Sequence, residues 1–222
     1  MKSRIFDGKS WYGYPFWNAI NRLVVGFQFK SLEISGKDKL PKDKPFILVA
    51  NHTSRWDGLV VQYLLDRKAN YMVSPNEMTG IQRPAVLSVG AFPANPRLDI
   101  VGYATRQLTR GEPVVVFPEG NVFYDGSLRR FKSGTAKIAL NANEKGLNVE
   151  IFPVAINYSF GKFSSLFVQV GDSIHTSIFS RDNQKEYREK VNTLTSHMHL
   201  EVSELLSQTK TLFNSTHNYV CS

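Results

Sequence analysis

Residues 46–57 are the most informative part of the sequence and read Phe46-Ile47-Leu48-Val49-Ala50-Asn51-His52-Thr53-Ser54-Arg55-Trp56-Asp57. Its first five residues are apolar and rich in branched side chains, which predicts a buried strand. The polar residues that follow place a histidine and a carboxylate just beyond the end of that strand. Open α/β sheets bind their ligands at this end of their strands. The stretch therefore predicts a strand, a turn that contains candidate functional side chains, and then a helix.

His52 and Asp57 are candidates for a catalytic pair. Helix positions five apart do not face one another, so cooperation requires His52 in the turn and Asp57 on the helix, reaching back. A neutral imidazole can take a proton from a hydroxyl, while a carboxylate fixes its tautomer and stabilises the cation that forms. The alternative interpretation is a surface histidine beside an ordinary aspartate in the first turn of a helix.

A second carboxylate stands at the end of another apolar run. Phe117-Pro118-Glu119-Gly120 follows residues 113–116, and its glycine tolerates unusual backbone angles. Glu119 is expected to hydrogen-bond a substrate hydroxyl or to brace a neighbouring loop. The alternative is a simple turn.

Basic side chains occur at two places that suit a phosphate. Residues 90–97 form a proline-bounded loop that ends in Arg97, whose planar guanidinium can bind two phosphate oxygens. Arg129, Arg130 and Lys132 precede a helix predicted to start at Gly134, and free amides at a helix start add to the positive charge. The alternative for each is a solvated basic turn.

The remaining pattern predicts an α/β fold, a single-domain mixed sheet flanked by helices. Further strands are predicted at residues 32–34, 70–73, 113–117, 149–156 and 166–170. Pro153, inside the fourth of these, suggests a bulge or a strand end. Helices are predicted at residues 59–65, 101–110, 134–142 and 187–205, and a short helix or turn at 84–89.

The composition indicates one globular domain with an anionic partner. Of 222 residues, 42% are hydrophobic and 21% charged, which suits a domain with a substantial core. The net charge of +8 and pI near 9.5 favour a membrane surface, a nucleic acid or a phosphorylated substrate. An aromatic content of 12% favours the membrane interface among these. The one cysteine, Cys221, excludes an intramolecular disulfide, and residues 1–9 show no signal-peptide pattern.

Residues 11–30 are predicted to form an amphipathic helix at a membrane interface, which divides the chain into residues 1–30 and a domain of residues 31–222. Apolar side chains recur there at helical spacing. They are Trp17, Ile20, Val24 and Phe27, with Trp11 before them. The segment is too short and too polar to span a bilayer. The alternative is a helix that merely covers the core.

In order and spacing, these blocks resemble the four motifs of the glycerophospholipid acyltransferase family, in particular its 1-acyl-glycerol-3-phosphate acyltransferases. The segment from His52 to Asp57 matches the first motif in full. Phe117-Pro118-Glu119-Gly120 matches the core of the third, and Phe131-Lys132 with Gly134 is similar to its extension. Residues 151–156 are similar to the proline-centred fourth motif.

Two departures from the family pattern concern the acceptor. Residues 90–97 are one residue longer than the usual second motif. Asn121-Val122-Phe123 stands where threonine, arginine and serine commonly follow the third motif's glycine, so an arginine expected near the acceptor phosphate is absent.

The resemblance implies acyl transfer from acyl-CoA or acyl-carrier protein to 1-acyl-glycerol-3-phosphate, a lysophospholipid, giving phosphatidic acid for phospholipid biosynthesis. It implies that His52 is the general base and that Asp57 orients it, with Glu119 and Gly120 shaping the acceptor pocket. The implied phosphate-binding residues are Arg97, Lys132, Arg129 and Arg130. No metal, no cofactor beyond the donor and no nucleic-acid partner is expected, and the expected location is the cytoplasmic face of a membrane, as a peripheral or monotopic protein.

Three other functions stay open from the sequence. The acceptor could be glycerol-3-phosphate, another lysophospholipid or a lipid alcohol. The fold could instead serve a non-catalytic membrane lipid-binding protein. A hydrolase in which His52 activates water is the third alternative.

Overall fold

The computed structural model describes residues 5–65, 67–159, 164–177 and 184–218. Within these ranges the chain forms one eight-stranded sheet and six α-helices. The strands are β1 (Ser31–Ser35), β2 (Phe46–Ala50), β3 (Asn70–Val73), β4 (Ala91–Pro93), β5 (Val114–Val116), β6 (Glu150–Ser159), β7 (Ser165–Val170) and β8 (Ile174–His175). The helices are α1 (Gly13–Gln28), α2 (Asp57–Leu64), α3 (Arg83–Ser88), α4 (Ile100–Thr109), α5 (Gly134–Glu144) and α6 (Gln184–Asn218).

The sheet is mixed, with a parallel centre and an antiparallel flank. Its order is β1-β7-β6-β2-β5-β3-β4, and β8 pairs with β6. The strands β6, β2, β5, β3 and β4 run parallel, so their carboxyl ends meet at one edge. β7 and β8 run antiparallel to β6, and β1 is parallel to β7. The predicted mixed α/β sheet is confirmed.

Strand β2 lies between two hydrophobic layers, one on each face of the sheet. Ile47 and Val49 face one layer, which includes side chains of α4, α5 and α6. Phe46, Leu48 and Ala50 face the other, which includes side chains of α2 and the end of α1. All five residues are fully buried, and each large side chain among them contributes about 1.5–3 kcal/mol through burial. A strand covered on both faces explains the unbroken apolar run in the sequence.

Most predicted elements are present with small shifts of their ends. α2 begins at Asp57 and α6 continues beyond its predicted end. Residues 91–93, predicted as part of a loop, instead form the edge strand β4 against β3. The strand end predicted at Pro153 is wrong, because β6 continues through it. Pro153 marks a change of neighbour: β8 pairs with β6 before this position and β7 pairs with it after.

Helix α1 packs against α2 and α3 with its less apolar side inward. Asn21 is buried there, and its side-chain amide donates to the carbonyl oxygen of Leu59 at 2.9 Å. Trp11 and Phe27 are 82% and 85% exposed. Val24 is also exposed, whereas Trp17 and Ile20 are half-buried.

The exposed apolar line of α1 is therefore rotated from the predicted stripe. It adds Phe16 and Leu23, because Tyr14, Asn21 and Val25 occupy the packed side. No helix in the described ranges is both long enough and apolar enough to cross a membrane.

Candidate active site

The turn between β2 and α2 is organised around the carboxylate of Asp57. Its Oδ2 atom lies 2.8 Å from His52 Nδ1 and accepts from the backbone amides of Thr53 and Ser54 at 2.8 and 2.9 Å. Asp57 is the first residue of α2, where a negative charge suits the helix dipole. The predicted geometry, with His52 in the turn and Asp57 reaching back, is confirmed.

The other oxygen of Asp57 is held by a residue from the neighbouring strand. Tyr158 on β6 donates its hydroxyl to Asp57 Oδ1 at 2.5 Å. Burial, with the nearby charge of Asp57 and this hydrogen bond, raises the pKa of Tyr158 well above its ordinary value. The phenol therefore stays protonated and acts as a donor.

These contacts assign the tautomer of His52. The carboxylate of Asp57 can only accept hydrogen bonds, so the hydrogen-bonded Nδ1 of His52 carries its proton. Nε2 is then the basic nitrogen. The Asp57 side chain is 0% exposed, whereas the His52 side chain is 20% exposed. The imidazole thus joins a buried carboxylate to the surface.

Two further contacts hold His52 in place. The ring of Phe117 stacks on the imidazole, with centroids 4.4 Å apart and planes 21° apart. The buried side chain of Asn51 bonds both backbone groups of Ile156, at 2.8 Å to its amide and 2.9 Å to its carbonyl. Asn51 thus continues the pairing of β2 with β6 up to the residue before His52.

Glu119 joins the turn after β5 to the turn after β2. Oε1 accepts from the backbone amide of His52 at 2.7 Å, and Oε2 accepts from the amide of Arg129 at 2.8 Å. The residue is 3% exposed, and burial raises its pKa although both amides partly offset this effect. Both oxygens are occupied by the protein backbone. Of the two roles that the sequence suggests for Glu119, this geometry supports the brace.

Gly120 makes room for Lys132. The glycine has φ of +75°, and a Cβ added there would lie 2.3 Å from Lys132 Nζ. The backbone amide of Lys132 also donates to the carbonyl of Pro118 at 2.8 Å. Lys132 is exposed, and within the described residues it forms no ion pair. An available ammonium group therefore rests on the turn that also braces His52.

The other predicted phosphate-binding residues occupy different surroundings. Arg129 pairs with Asp125 at 2.6 Å, and its guanidinium lies 5.1 Å from the centroid of the Phe123 ring. Arg130 is exposed. Arg97 is exposed in the turn after β4, three strands from β2, which corresponds to roughly 14 Å at the usual strand spacing. The structure brings Lys132 close to His52's supporting turn and leaves Arg97 at the edge of the sheet.

Tyr158, Phe117 and Arg55 also lie at or next to this site, and the sequence does not predict them as parts of it. Arg55 lies inside the decisive stretch, and its Nε donates to the hydroxyl of Tyr124 at 3.3 Å. The backbone of Phe123 donates to the carbonyl of His52 at 2.8 Å, which places this loop against the histidine. A signal existed for Arg55, a cation between the histidine and the aspartate. The sequence offers none for Tyr158.

We expect Glu119→Gln to loosen both turns. Glutamine keeps one acceptor oxygen but presents an NH₂ group to a backbone N–H, so one amide loses its bond and the free energy of unfolding falls by about 1–3 kcal/mol. Amide hydrogen exchange should accelerate at His52, Arg129 or both. The exposed Glu204 provides the matched control, since Glu204→Gln should change neither. Unchanged exchange at both amides would contradict the bracing role.

Comparison with known proteins identifies the family of this chain. Residues 31–157 match the family described as Acyltransferase. A 1-acyl-sn-glycerol-3-phosphate acyltransferase of Pseudomonas aeruginosa is 23% identical over 162 residues, covering 68% of this chain and 57% of that protein. A probable 1-acyl-sn-glycerol-3-phosphate acyltransferase of Mycoplasma genitalium is 29% identical over 173 residues, covering 69% and 61%. This chain thus spans about three fifths of the length of these relatives.

A solved structure supports the same fold. The crystal structure of the 1-acyl-sn-glycerophosphate (LPA) acyltransferase from Thermotoga maritima has a TM-score of 0.62 and 19% sequence identity, over 86% of this chain and 79% of that one. At this identity the likeness concerns the fold. The family match covers more than half of the 222 residues and includes the whole stretch from His52 to Asp57. This chain belongs to the Acyltransferase family.

Proposed function

We propose that the protein transfers a fatty acyl group from a thioester donor, acyl-CoA or acyl-carrier protein, to the free hydroxyl of 1-acyl-glycerol-3-phosphate. The observation that carries the proposal is the His52–Asp57 pair with its basic Nε2 at the carboxyl edge of the sheet, where the exposed Lys132 rests on the turn that braces His52 and forms no ion pair with any described residue. Curated relatives described as 1-acyl-sn-glycerol-3-phosphate acyltransferases support the choice of acceptor. The product is phosphatidic acid, a precursor in phospholipid biosynthesis.

The geometry of His52 supports the following reaction. Nε2 takes the proton of the acceptor hydroxyl as its oxygen attacks the thioester carbonyl carbon. The imidazolium that forms is stabilised by Asp57, a carboxylate already oriented by its other donors. When the tetrahedral intermediate collapses, the carbon–sulfur bond breaks and the leaving thiolate takes the proton from Nε2. No serine of the protein is needed, because the acceptor supplies the nucleophile.

The acceptor phosphate is proposed to bind at the turn that follows β5. Lys132 rests on Gly120 there, and Arg130 is exposed close to it in sequence. Arg129 is less available, because it is paired with Asp125. A phosphate bound by Lys132 would hold the acceptor hydroxyl near His52, since both residues are tied to the turn of residues 117–120. Arg97 would contribute only to an acceptor that extends toward β4.

The same site favours a second acceptor hypothesis within acyl transfer. Asn121-Val122-Phe123 supplies no cation after Gly120. The acceptor would then be a molecule with a different head group, such as another lysophospholipid, glycerol-3-phosphate or a lipid alcohol.

A panel of acceptors with one labelled acyl donor distinguishes these acceptors. Thiol release without any acceptor would instead indicate a hydrolase, and no release would indicate a lipid-binding protein.

We further propose that α1 holds the protein on a membrane, peripherally or monotopically, on the cytoplasmic side. The apolar residues on its outer side and just before its first turn are exposed: Trp11, Phe16, Leu23, Val24 and Phe27. Exposed apolar patches of this kind mark interaction surfaces, and aromatic side chains suit the headgroup region. The net charge of +8 adds attraction to anionic lipid.

We expect His52→Ala to abolish acyl transfer in a folded protein. Loss of a general base lowers kcat by about a hundred- to ten-thousand-fold, and Asp57→Asn should also slow the reaction severely because it removes the charge that supports the imidazolium. His197 on α6, paired with Glu201, provides the control, and His197→Ala should retain activity. Circular dichroism verifies folding. Turnover by His52→Ala close to that of the unmodified protein would refute the mechanism.

We expect Lys132→Ala to raise the KM for the phosphorylated acceptor by about ten- to a hundred-fold, because it removes a charge-assisted hydrogen bond. The KM for the donor should stay unchanged. Arg97→Ala tests the alternative position, and the larger of the two effects locates the phosphate. Lys145 lies at the opposite end of α5 and provides the control, since Lys145→Ala should leave both KM values unchanged. If only the donor KM moves, this turn belongs to the donor.

We expect replacement of Trp11, Phe16, Leu23 and Phe27 by serine to release the protein from anionic vesicles. High salt should release the unmodified protein only in part. It weakens the electrostatic attraction, because the Debye length falls from about 10 Å at 0.1 M to about 3 Å at 1 M, but it leaves the apolar contacts intact. Activity should fall on vesicle-borne acceptor and persist on a dispersed short-chain analogue. Leu200→Ser on α6 is the exposed apolar control. Full vesicle binding by the four-serine variant would place the anchor elsewhere.

A further inference from the structure

Tyr158 hydrogen-bonds the carboxylate of Asp57, but it takes no part in the proton transfers of the proposed reaction. It lies on β6, one residue beyond the segment that matches the family, and its hydroxyl donates to Asp57 Oδ1 at 2.5 Å. The three other donors to this carboxylate, His52 and two backbone amides, all contact Oδ2. Among the residues that the structure describes, Tyr158 therefore provides the one donor to Oδ1, at a residue with 0% exposure.

The ring of Tyr158 is held by aromatic packing. The Phe29 ring lies against it, with centroids 5.6 Å apart and planes 34° apart. Phe29 also meets Trp56 edge to face, with centroids 5.6 Å apart. Since Trp56 directly precedes Asp57, Phe29 contacts both the tyrosine and the turn that carries the carboxylate. The hydroxyl therefore has a defined direction.

We propose that Tyr158 is a positioning residue that keeps the carboxylate of Asp57 oriented toward His52. Without the hydroxyl, Oδ1 would be a buried charged oxygen without a donor. The carboxylate would then gain by turning Oδ1 toward the amides and the imidazole that now bind Oδ2. His52 Nδ1 would lose its single defined partner, and the direction of Nε2 would lose its constraint. This inference rests on the proposed function, in which Nε2 is the base.

The choice of Tyr158 is supported by the contrast with Tyr71. Tyr71 on β3 is also buried, but its hydroxyl has no hydrogen-bond partner among the described residues. Burial alone therefore does not account for a tyrosine hydroxyl bonded to the catalytic carboxylate. Tyr71→Phe is a matched control, since it removes a buried hydroxyl without touching Asp57.

The experiment compares Tyr158→Phe with Tyr71→Phe in the full chain. Tyr158→Phe should lower kcat by roughly ten- to a hundred-fold, the loss expected for a hydrogen bond to a charged group. The KM values for both substrates should stay unchanged, because the hydroxyl contacts neither. The proton NMR resonance of His52 Nδ1–H, assigned by its absence in His52→Ala, should shift or broaden. Tyr71→Phe should leave kcat and the resonance unchanged.

A second variant gives the same test without altering the tyrosine. Phe29→Leu removes the ring that packs on Tyr158, so the Nδ1 resonance should again shift or broaden, with a smaller loss of kcat. An unchanged resonance and unchanged kcat in Tyr158→Phe would overturn the positioning role. That result would leave the proposed function intact wherever the unmodified protein transfers acyl groups and His52→Ala does not. A disturbed resonance in a protein that transfers no acyl group would support the positioning role and refute the function.

Discussion

The site depends on keeping one carboxylate charged inside the protein. An ionised carboxylate without partners is very costly to bury, yet the Asp57 side chain is 0% exposed. The local chain solves this by folding two backbone amides back onto Oδ2, as a turn with a carboxylate cap. The same requirement fixes the direction of His52, whose Nδ1 is a further donor to that oxygen. The same hydrogen bonds therefore stabilise the buried carboxylate and orient the imidazole of His52.

The order of the strands brings the remaining supports to this carboxylate and its histidine. β2 lies between β6 and β5, and each neighbour sends one side chain across at its carboxyl end. From β6 comes Tyr158, which bonds Asp57, and just after β5 comes Glu119, which bonds the backbone of His52. Parallel strands make this possible, because all three end at the same edge. The helices cover both faces of these strands, while the His52 side chain at their carboxyl ends keeps 20% of its surface exposed.

The sequence predicts the contacts of this site that form between residues close together in the chain. The apolar run of residues 46–50, the break at Asn51 and the interval from His52 to Asp57 are sufficient to predict strand, turn and reaching carboxylate. The partners from other strands are 67 and 101 residues away in sequence. Periodicity gives no information about such pairs, because strand order and register decide them. For the same reason Glu119 was open between two roles, and β4 was assigned to a loop because three residues are too few to show alternation.

Helix α1 connects the proposed lipid surface to this carboxylate through two identified contacts, one polar and one aromatic. Its inner side is fastened by Asn21 to the carbonyl of Leu59, within α2, the helix that begins with Asp57. Its last turn leads directly to Phe29, the buried ring that packs on Trp56 and Tyr158. The exposed side of this helix is apolar and its packed side includes a buried polar residue. An exposed apolar surface of this kind is typical of a site that contacts an apolar partner. If lipid is that partner, the helix that lies on it leads directly into Phe29, the ring that packs on Tyr158. Lipid contact and the position of Tyr158 beside Asp57 would then both depend on packing within one layer of the fold.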